Sequence, residues 1–270
     1  MNKKHIVLFD MDGTLTDSRE PFNKRLLEPL RDLSHYSELG IVTGSDQDYL
    51  FEQMKILIRF SELRYITHLL PCNGTKHYTP PRQLDDTYRL IYSVNMEEKL
   101  GTQCFRQLMM ILCSQQETMC YNDEIPLTGH FISYRESMIN WCPIGRNANN
   151  VQRQIFKKLD NFTTPSLRKK ELDKINYKIN LRCNDHVIVK LGGDTSFDIY
   201  PKGWDKTYAL RHFKDHICWF VGDRCGKDGN DKEIYELLKK ENRAYQTKNP
   251  ENTADIIREI TERIKKIIKS

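Results

Sequence analysis

HIVLFDMDGTLT, residues His5 to Thr16, sets the reading of the whole chain. His5 to Phe9 is mostly apolar and rich in β-branched and aromatic side chains, and the run stops abruptly at Asp10, Asp12, Gly13 and Thr14. A continuous apolar run ending in a polar turn is expected to be a strand covered on both faces, at the centre of a parallel sheet. Open α/β sheets bind ligands beyond the carboxyl ends of their strands, near the point where strand order reverses. Asp10 and Asp12 are therefore expected at such a mouth.

Carboxylates two residues apart on extended chain project toward one side. At ~4 Å and an effective dielectric of ~20, a like-charge pair costs about 4 kcal/mol, so a cation or a proton has to intervene. A hard dication such as Mg²⁺ takes one or two carboxylates together with phosphate oxygens, which makes the cluster a phosphoryl-transfer site. In that chemistry Asp10 attacks phosphorus as the nucleophile. Asp12 moves the proton as general acid and base, its side chain left for the task if only its backbone carbonyl reaches the metal. The bland alternative is a strand ending in a solvated, helix-capping turn; DxDGT directly after an apolar strand favours the catalytic reading.

With 270 residues, 39% of them hydrophobic, the chain has material for one large or two modest packed domains. No apolar run approaches the ~18 residues of a membrane span, and Asp10 interrupts the N-terminal run before it can act as a secretory signal. A cytoplasmic protein with no membrane partner is expected. Eight cysteines without a CxxC pair point to free thiols rather than a zinc knuckle or redox pair. His212 and His216 are spaced as on one helix face, but no glutamate follows the first as in HExxH. A net charge of +5 suits a small anionic substrate and gives no reason to expect nucleic acid.

Along the chain, Asp17 or Ser18 is expected to cap a helix with Pro21 in its first turn and Phe22, Leu26, Leu27, Leu30 and Leu33 on its buried face. Arg19 stands just before it, near the mouth where phosphate would sit. Glu38–Val42 reads as a second strand, ending in Thr43-Gly44-Ser45-Asp46, whose hydroxyls and backbone N–H groups suit an oxyanion. A helix over 46–60, a strand over 65–70 and a break at Pro71-Cys72-Asn73-Gly74 complete a doubly wound half-domain.

Thr79-Pro80-Pro81-Arg82 reads as a linker into sequence of different texture. A helix over 96–116 is followed by strand-like runs at 130–135 and 138–142, charged helical sequence to Cys183, and strands at 186–191 and 195–200 around the hairpin signal Gly192-Gly193-Asp194. The βα texture then returns. Asp205 and Lys206 open a helix, and Ile217–Val221 is a buried strand ending in Gly222-Asp223, an acid placed to reach the same metal as Asp10. Gly229-Asn230-Asp231 opens the next helix. Ile256, Ile257, Ile260, Ile264, Ile267 and Ile268 form one stripe of a basic amphipathic tail that is expected to pack on the core, with a membrane surface as the alternative. The expected fold class is α/β, a doubly wound parallel-sheet core over 1–81 and 189–270 with an inserted α+β cap over 82–188.

Four motifs, Asp10 with Asp12, Thr43, Lys206, and Asp223 with Asp231, stand in the order found in the haloacid-dehalogenase (HAD) superfamily of aspartyl phosphotransferases, which the chain resembles. The segments YRESMINWCPIGRNANNVQR, from Tyr134 to Arg153, and GGDTSFDIYPKGWDK, from Gly192 to Lys206, are similar to eukaryotic-type phosphomannomutase. That resemblance implies a HAD-like Rossmannoid core with catalytic Asp10, Asp12 and Lys206, and Mg²⁺ at Asp10, Asp12, Asp223 and Asp231. It implies a hexose phosphate held by Arg19, Thr43, Gly44, Ser45, Arg135, Asn140, Arg146, Arg153, Ser196 and Asp198. Strand period independently puts Ser196 and Asp198 on one face.

The resemblance further implies interconversion of mannose 6-phosphate and mannose 1-phosphate for GDP-mannose synthesis. A phosphoaspartyl enzyme, a hexose 1,6-bisphosphate activator and a homodimer through the cap go with it. The alternatives are a capped sugar-phosphate phosphatase of the same fold and a catalytically silent binding protein, against which the intact acids and lysine argue. Asp228 stands where the family more often has glycine. Leu237 stands where it often has an aspartate of a second cation site, so no second site is expected.

Overall fold

Ile6, Val7, Leu8 and Phe9 are each at most 1% exposed in β1 (Lys4–Phe9) of a computed structural model that describes residues 4–17, 20–183 and 186–269. A 3₁₀ turn (Lys24–Leu26) leads into α1 (Leu27–Ser34), followed by β2 (Glu38–Val42), α2 (Gln47–Gln53), α3 (Lys55–Phe60), β3 (Thr67–Leu70), β4 (Lys76–Thr79) and β5 (Arg89–Ser93). The middle of the chain carries α4 (Met96–Leu100), α5 (Thr102–Cys120), β6 (Ile132–Tyr134), β7 (Ile139–Trp141), α6 (Asn150–Phe162), α7 (Leu167–Cys183), β8 (Val187–Gly192) and β9 (Ser196–Pro201). A 3₁₀ stretch (Lys206–Phe213), β10 (His216–Gly222), α8 (Lys232–Lys239), β11 (Ala244–Gln246) and α9 (Pro250–Lys269) complete it. Two units result, 1–93 with 204–270, and 94–203.

The first unit is built on a seven-stranded sheet of order β11-β10-β1-β2-β3-β4-β5. It is parallel from β11 to β3, with β4 and β5 antiparallel at one edge. In β1, Phe9 is in register with Val221 on one side and Ile41 on the other. Strand order therefore reverses beside β1, which makes its carboxyl end the natural binding crevice.

Side-chain alternation explains why the β1 run is apolar throughout. Val7 and Phe9 pack with Leu30 of α1, Leu50 of α2, Leu57 of α3 and Ile257 and Ile260 of α9; Ile6 and Leu8 pack with Phe220, Ala209, Phe213 and Ile234 on the other face. Each such side chain removed from water contributes about 1.5–3 kcal/mol.

The second unit has an antiparallel four-stranded sheet of order β6-β7-β9-β8. Helix α5 packs along α7, and α7 packs against β8. Trp141 stacks on Phe197 with ring centroids 4.7 Å apart, and its indole N–H donates to buried Gln116 at 2.8 Å.

Several sequence expectations need correction. The units divide at 93/94 and 203/204 rather than at 81/82 and 188/189, because β5 pairs with β4 of the core sheet and β9 pairs with β7 and β8. Of the supposed linker at 79–82, Thr79 ends β4 and residues 80–82 begin the β4–β5 connection. Pro21 is not in a first helical turn. Phe22 is tied by its N–H to the Gln53 carbonyl, and Asn23 caps the 3₁₀ turn that follows. The helix over 46–60 is two helices separated at Met54, and the one over 96–116 breaks at Gly101 (φ +79°) and runs on to Cys120. The tail helix begins at Pro250; Ile256, Ile257, Ile260 and Ile264 are buried, whereas Ile267 and Ile268 are nearly half exposed. Among the described residues no helix is long and apolar enough to cross a membrane.

Candidate active site

The Asp10 N–H donates to the Val221 carbonyl at 2.9 Å, which extends the β1–β10 pairing by one residue and fixes Asp10 at the strand ends. Beyond it the chain turns tightly, with the Leu15 and Thr16 N–H groups donating to the Met11 carbonyl and Gly13 at φ +82°. Glycine is required here twice over, by that left-handed backbone and by Asp223, whose Oδ2 lies 2.4 Å from where a Cβ would stand. At the end of β10, Gly222 makes comparable room for Asp231, whose Oδ2 lies 2.6 Å from its missing Cβ. Asp231 is the residue before α8, is fully buried, and accepts the Arg224 N–H at 3.0 Å. Lys206 follows Asp205, whose side chain accepts the Thr207 N–H at 2.9 Å and so caps the 3₁₀ stretch.

These local structures bring four charges together. The buried Lys206 Nζ stands 2.5 Å from Asp10 Oδ1 and 2.5 Å from Asp231 Oδ1. One oxygen from each of Asp10, Asp223 and Asp231 lies within 4.8 Å of the others. Burial alone would lower the Lys206 pKa, but Asp10 and Asp231 outweigh it and the ammonium is held above its ordinary value. Burial, then the charge of Asp231, pushes the Asp10 carboxyl well above the usual carboxylate range against the pull of Lys206. Asp223 is raised by burial and by Asp231, with Arg224 opposing.

Such a cluster suits a hard divalent cation. Three carboxylates against one ammonium leave two net negative charges, the donors are all oxygen, and Asp223 Oδ1 is buried without a hydrogen-bond partner among the described residues. The Asp12 carboxylate lies outside this group of three; its Oδ1 accepts the Tyr49 hydroxyl at 3.1 Å. Thr14 is fully buried, and its hydroxyl oxygen has no hydrogen-bond partner among the described residues.

At the end of β2, buried Thr43 accepts the Ser45 N–H on its hydroxyl at 3.1 Å, and its carbonyl accepts the Asn73 N–H at 2.8 Å. Gly44 is buried and Ser45 half-buried beside it. Asp46 then caps α2 by accepting the Tyr49 N–H at 3.0 Å. Sequence reasoning missed Tyr49. Its one available signal is its place three residues after a capping aspartate, in the first helical turn beyond a strand end.

In the second unit, β7 and β9 set Asn140 opposite Asp198, and the Asn140 amide donates to Asp198 Oδ1 at 2.8 Å. Arg146 Nη1 donates to Asn140 Oδ1 at 3.0 Å, so arginine, amide and carboxylate form one bonded row. Ser196 is two residues along β9 and buried. Arg135 is buried in the tight β6–β7 connection, where its N–H donates to the Met138 carbonyl at 2.8 Å, and Arg153 stands in the first turn of α6. Arg19 lies outside the described residues.

The family profile described as eukaryotic phosphomannomutase matches residues 26–263. A phosphomannomutase of Dendrobium officinale is 34% identical over 233 residues, covering 86% of this chain and 84% of its own length. One from Encephalitozoon cuniculi is 32% identical over 271 residues, covering 98% and 96%. Among solved structures, an N-terminally truncated, IMP-bound IMP-nucleotidase of Plasmodium falciparum superposes with a TM-score of 0.64 at 13% identity, over 96% of this chain and 68% of that one. That likeness is one of fold.

Proposed function

The chain belongs to the eukaryotic phosphomannomutase family, and from that premise we propose a Mg²⁺-dependent isomerase that interconverts mannose 6-phosphate and mannose 1-phosphate. The reaction runs through a phosphoaspartyl enzyme and a hexose 1,6-bisphosphate, which also primes it. The proposal includes a cytoplasmic role in supplying GDP-mannose synthesis and a homodimer made through the second unit. The observation that carries it is the buried Lys206 between Asp10 and Asp231 at the carboxyl ends of β1 and β10, with Asp223 beside them.

Asp10 Oδ2 attacks phosphorus while Oδ1 stays paired with Lys206, which also draws charge from the phosphoryl oxygens. Asp10, Asp223 and Asp231, with the Asp12 backbone carbonyl, hold the cation, which when bound keeps the carboxylates ionised and polarises the phosphoryl group. The hydroxyls of Thr43 and Ser45 and the Gly44 and Ser45 N–H groups orient the phosphoryl oxygens. Asp12 takes the proton from the hydroxyl of the hexose monophosphate as that oxygen receives the phosphoryl group from Asp10, and, once the resulting bisphosphate has turned, returns it to the sugar oxygen that leaves when Asp10 takes the other phosphoryl group. Arg135, Arg146 and Arg153 grip the distal phosphate and Arg19 binds phosphate at the strand-end mouth, with Asn140, Ser196 and Asp198 on the sugar hydroxyls. Arginine suits that role because its planar fork binds phosphate bidentately.

Coupled assays of mannose 1-phosphate and glucose 1-phosphate, each with and without bisphosphate, test the reading. Isomerisation that requires bisphosphate and favours the mannose ester supports it. Stoichiometric release of phosphate without isomer replaces it with a phosphatase.

A further inference from the structure

The proton carrier in the proposed reaction changes charge twice in every turnover, yet it has to meet a sugar oxygen at the same place each time. Something has to hold its orientation without fixing its charge. The Tyr49 hydroxyl donates to Asp12 Oδ1 at 3.1 Å. We propose that Tyr49 is the positioning residue for the Asp12 carboxylate, holding one orientation of it through both halves of the phosphoryl transfer. This rests on the assignment of proton transfer to Asp12.

Both partners stand on firm backbone. Asp12 lies in the strand-end turn, in a bridge with Thr16, whose hydroxyl donates to the Met11 carbonyl at 3.3 Å. Tyr49 lies in the first turn of α2, where the Asp46 carboxylate accepts its N–H at 3.0 Å. Helix α2 is itself pinned to the sheet. The Tyr78 hydroxyl donates to Gln47, and Phe51 meets the rings of Tyr78 and Tyr88 edge-on with centroids 5.8 and 5.7 Å away. The hydroxyl therefore approaches Asp12 from a fixed direction, as a positioning contact must.

The donor type matters as much as its place. Lys206, a cation, stabilises an ionised carboxylate and resists its protonation, which suits the nucleophile Asp10. A neutral phenol donates to a carboxylate oxygen and also, more weakly, to the carbonyl oxygen of the carboxylic acid when the proton rides on the other oxygen. Its bond to Oδ1 thus persists across the cycle and biases the charge state less than an ammonium would. Lys206 thus gives the nucleophile a charged donor, and Tyr49 gives the proton carrier two residues away a neutral one.

The test compares the wild-type chain, Tyr49→Phe and Asp12→Asn, all with Mg²⁺, on mannose 1-phosphate plus bisphosphate and on p-nitrophenyl phosphate in single turnover with enzyme in excess. The aryl leaving group departs without a proton. Tyr49→Phe should lower kcat on the hexose phosphate by about three- to tenfold, the scale of one hydrogen bond from an uncharged donor, with KM and p-nitrophenol release within about twofold of wild type. Asp12→Asn should show the same substrate pattern at roughly 10²–10⁴-fold. An equal fall on both substrates makes Tyr49 a packing residue and overturns the inference. So does a Tyr49→Phe enzyme that matches wild type on hexose phosphate while Asp12→Asn is slow. If Asp12→Asn itself matches wild type, the assignment of the proton to Asp12 has failed first.

Discussion

Lys206 Nζ stands 2.5 Å from Asp10 Oδ1 with its side chain wholly buried, and Asp231 takes the same nitrogen from the other side. Removing one partner of a buried ion pair leaves an uncompensated charge and costs about 3–5 kcal/mol. Lys206→Met keeps the length of the side chain and removes its charge, leaving three close carboxylates with no cation. Its thermal midpoint should fall well below wild type in chelator and recover partly with Mg²⁺, while turnover stays lost. Melting curves in both media decide; a variant that melts with wild type in chelator contradicts the ledger of charges at the site.

Gly13→Ala tests how Asp223 is held. The backbone there is left-handed, and a Cβ would stand 2.4 Å from Asp223 Oδ2. The Asp223 carboxylate has to move, so the half-saturating Mg²⁺ concentration in a thermal-shift titration should rise on the order of tenfold or more, the effect typical of disturbing a ligand's support. An unchanged Mg²⁺ response would mean that Asp223 does not serve the cation.

The sequence made the centre of this site legible because β1 is covered on both faces, so its apolar run is uninterrupted and Asp10 stands out at its end. Lys206, Asp223 and Asp231 follow from their order at later strand and helix boundaries, although each alone is a common residue in a common turn. The sheet edge was not legible. β4 and β5 are short, and only their pairing across the intervening loop makes them part of the core rather than a linker. β9 is buried at all six positions and lies between β7 and β8, a neighbour relation that no local pattern states. Tyr49 depends on the rotation of α2 about its axis, which the Asp46 cap fixes only once the helix start is known.

Below neutral pH, His77 should weaken the fold. Burial, then the charges of His212 and His68, lowers its pKa from 6.5 to about 3. Its Nε2 lies 2.9 Å from His68 Nδ1, a bond that needs one of the two nitrogens to be an acceptor. A depressed folded-state pKa contributes stability that is present above about 6.5 and is lost as the pH falls toward about 3. His77→Gln should be less stable than wild type at pH 7 yet lose less on going to pH 4.5, as read from urea midpoints. Parallel losses in the two proteins would assign the acid sensitivity elsewhere.

Arg146 donates to Asn140, which in turn holds Asp198. A mutase has to keep a bisphosphate bound while it turns, and a charge-assisted arginine contact is worth about 1.5–3 kcal/mol. Arg146→Gln should therefore lower isomerisation roughly tenfold or more and raise the share of phosphoryl groups lost to water. Isomer and free phosphate measured in one reaction give both numbers, and an unchanged ratio would remove Arg146 from the distal phosphate site.

Transfer of the phosphoryl group to Asp10 is the step on which the whole mechanism turns. Wild type and Asp10→Asn, matched for fold by circular dichroism, are mixed with Mg²⁺ and hexose 1,6-bisphosphate, quenched in acid within the first turnover, and digested for mass spectrometry. The wild-type peptide containing Asp10 should carry one phosphoryl group, absent from the Asp10→Asn peptide, and the variant should form no mannose 6-phosphate from mannose 1-phosphate. A phosphorylated site elsewhere, or an Asp10→Asn protein that isomerises at the wild-type rate, would contradict the mechanism.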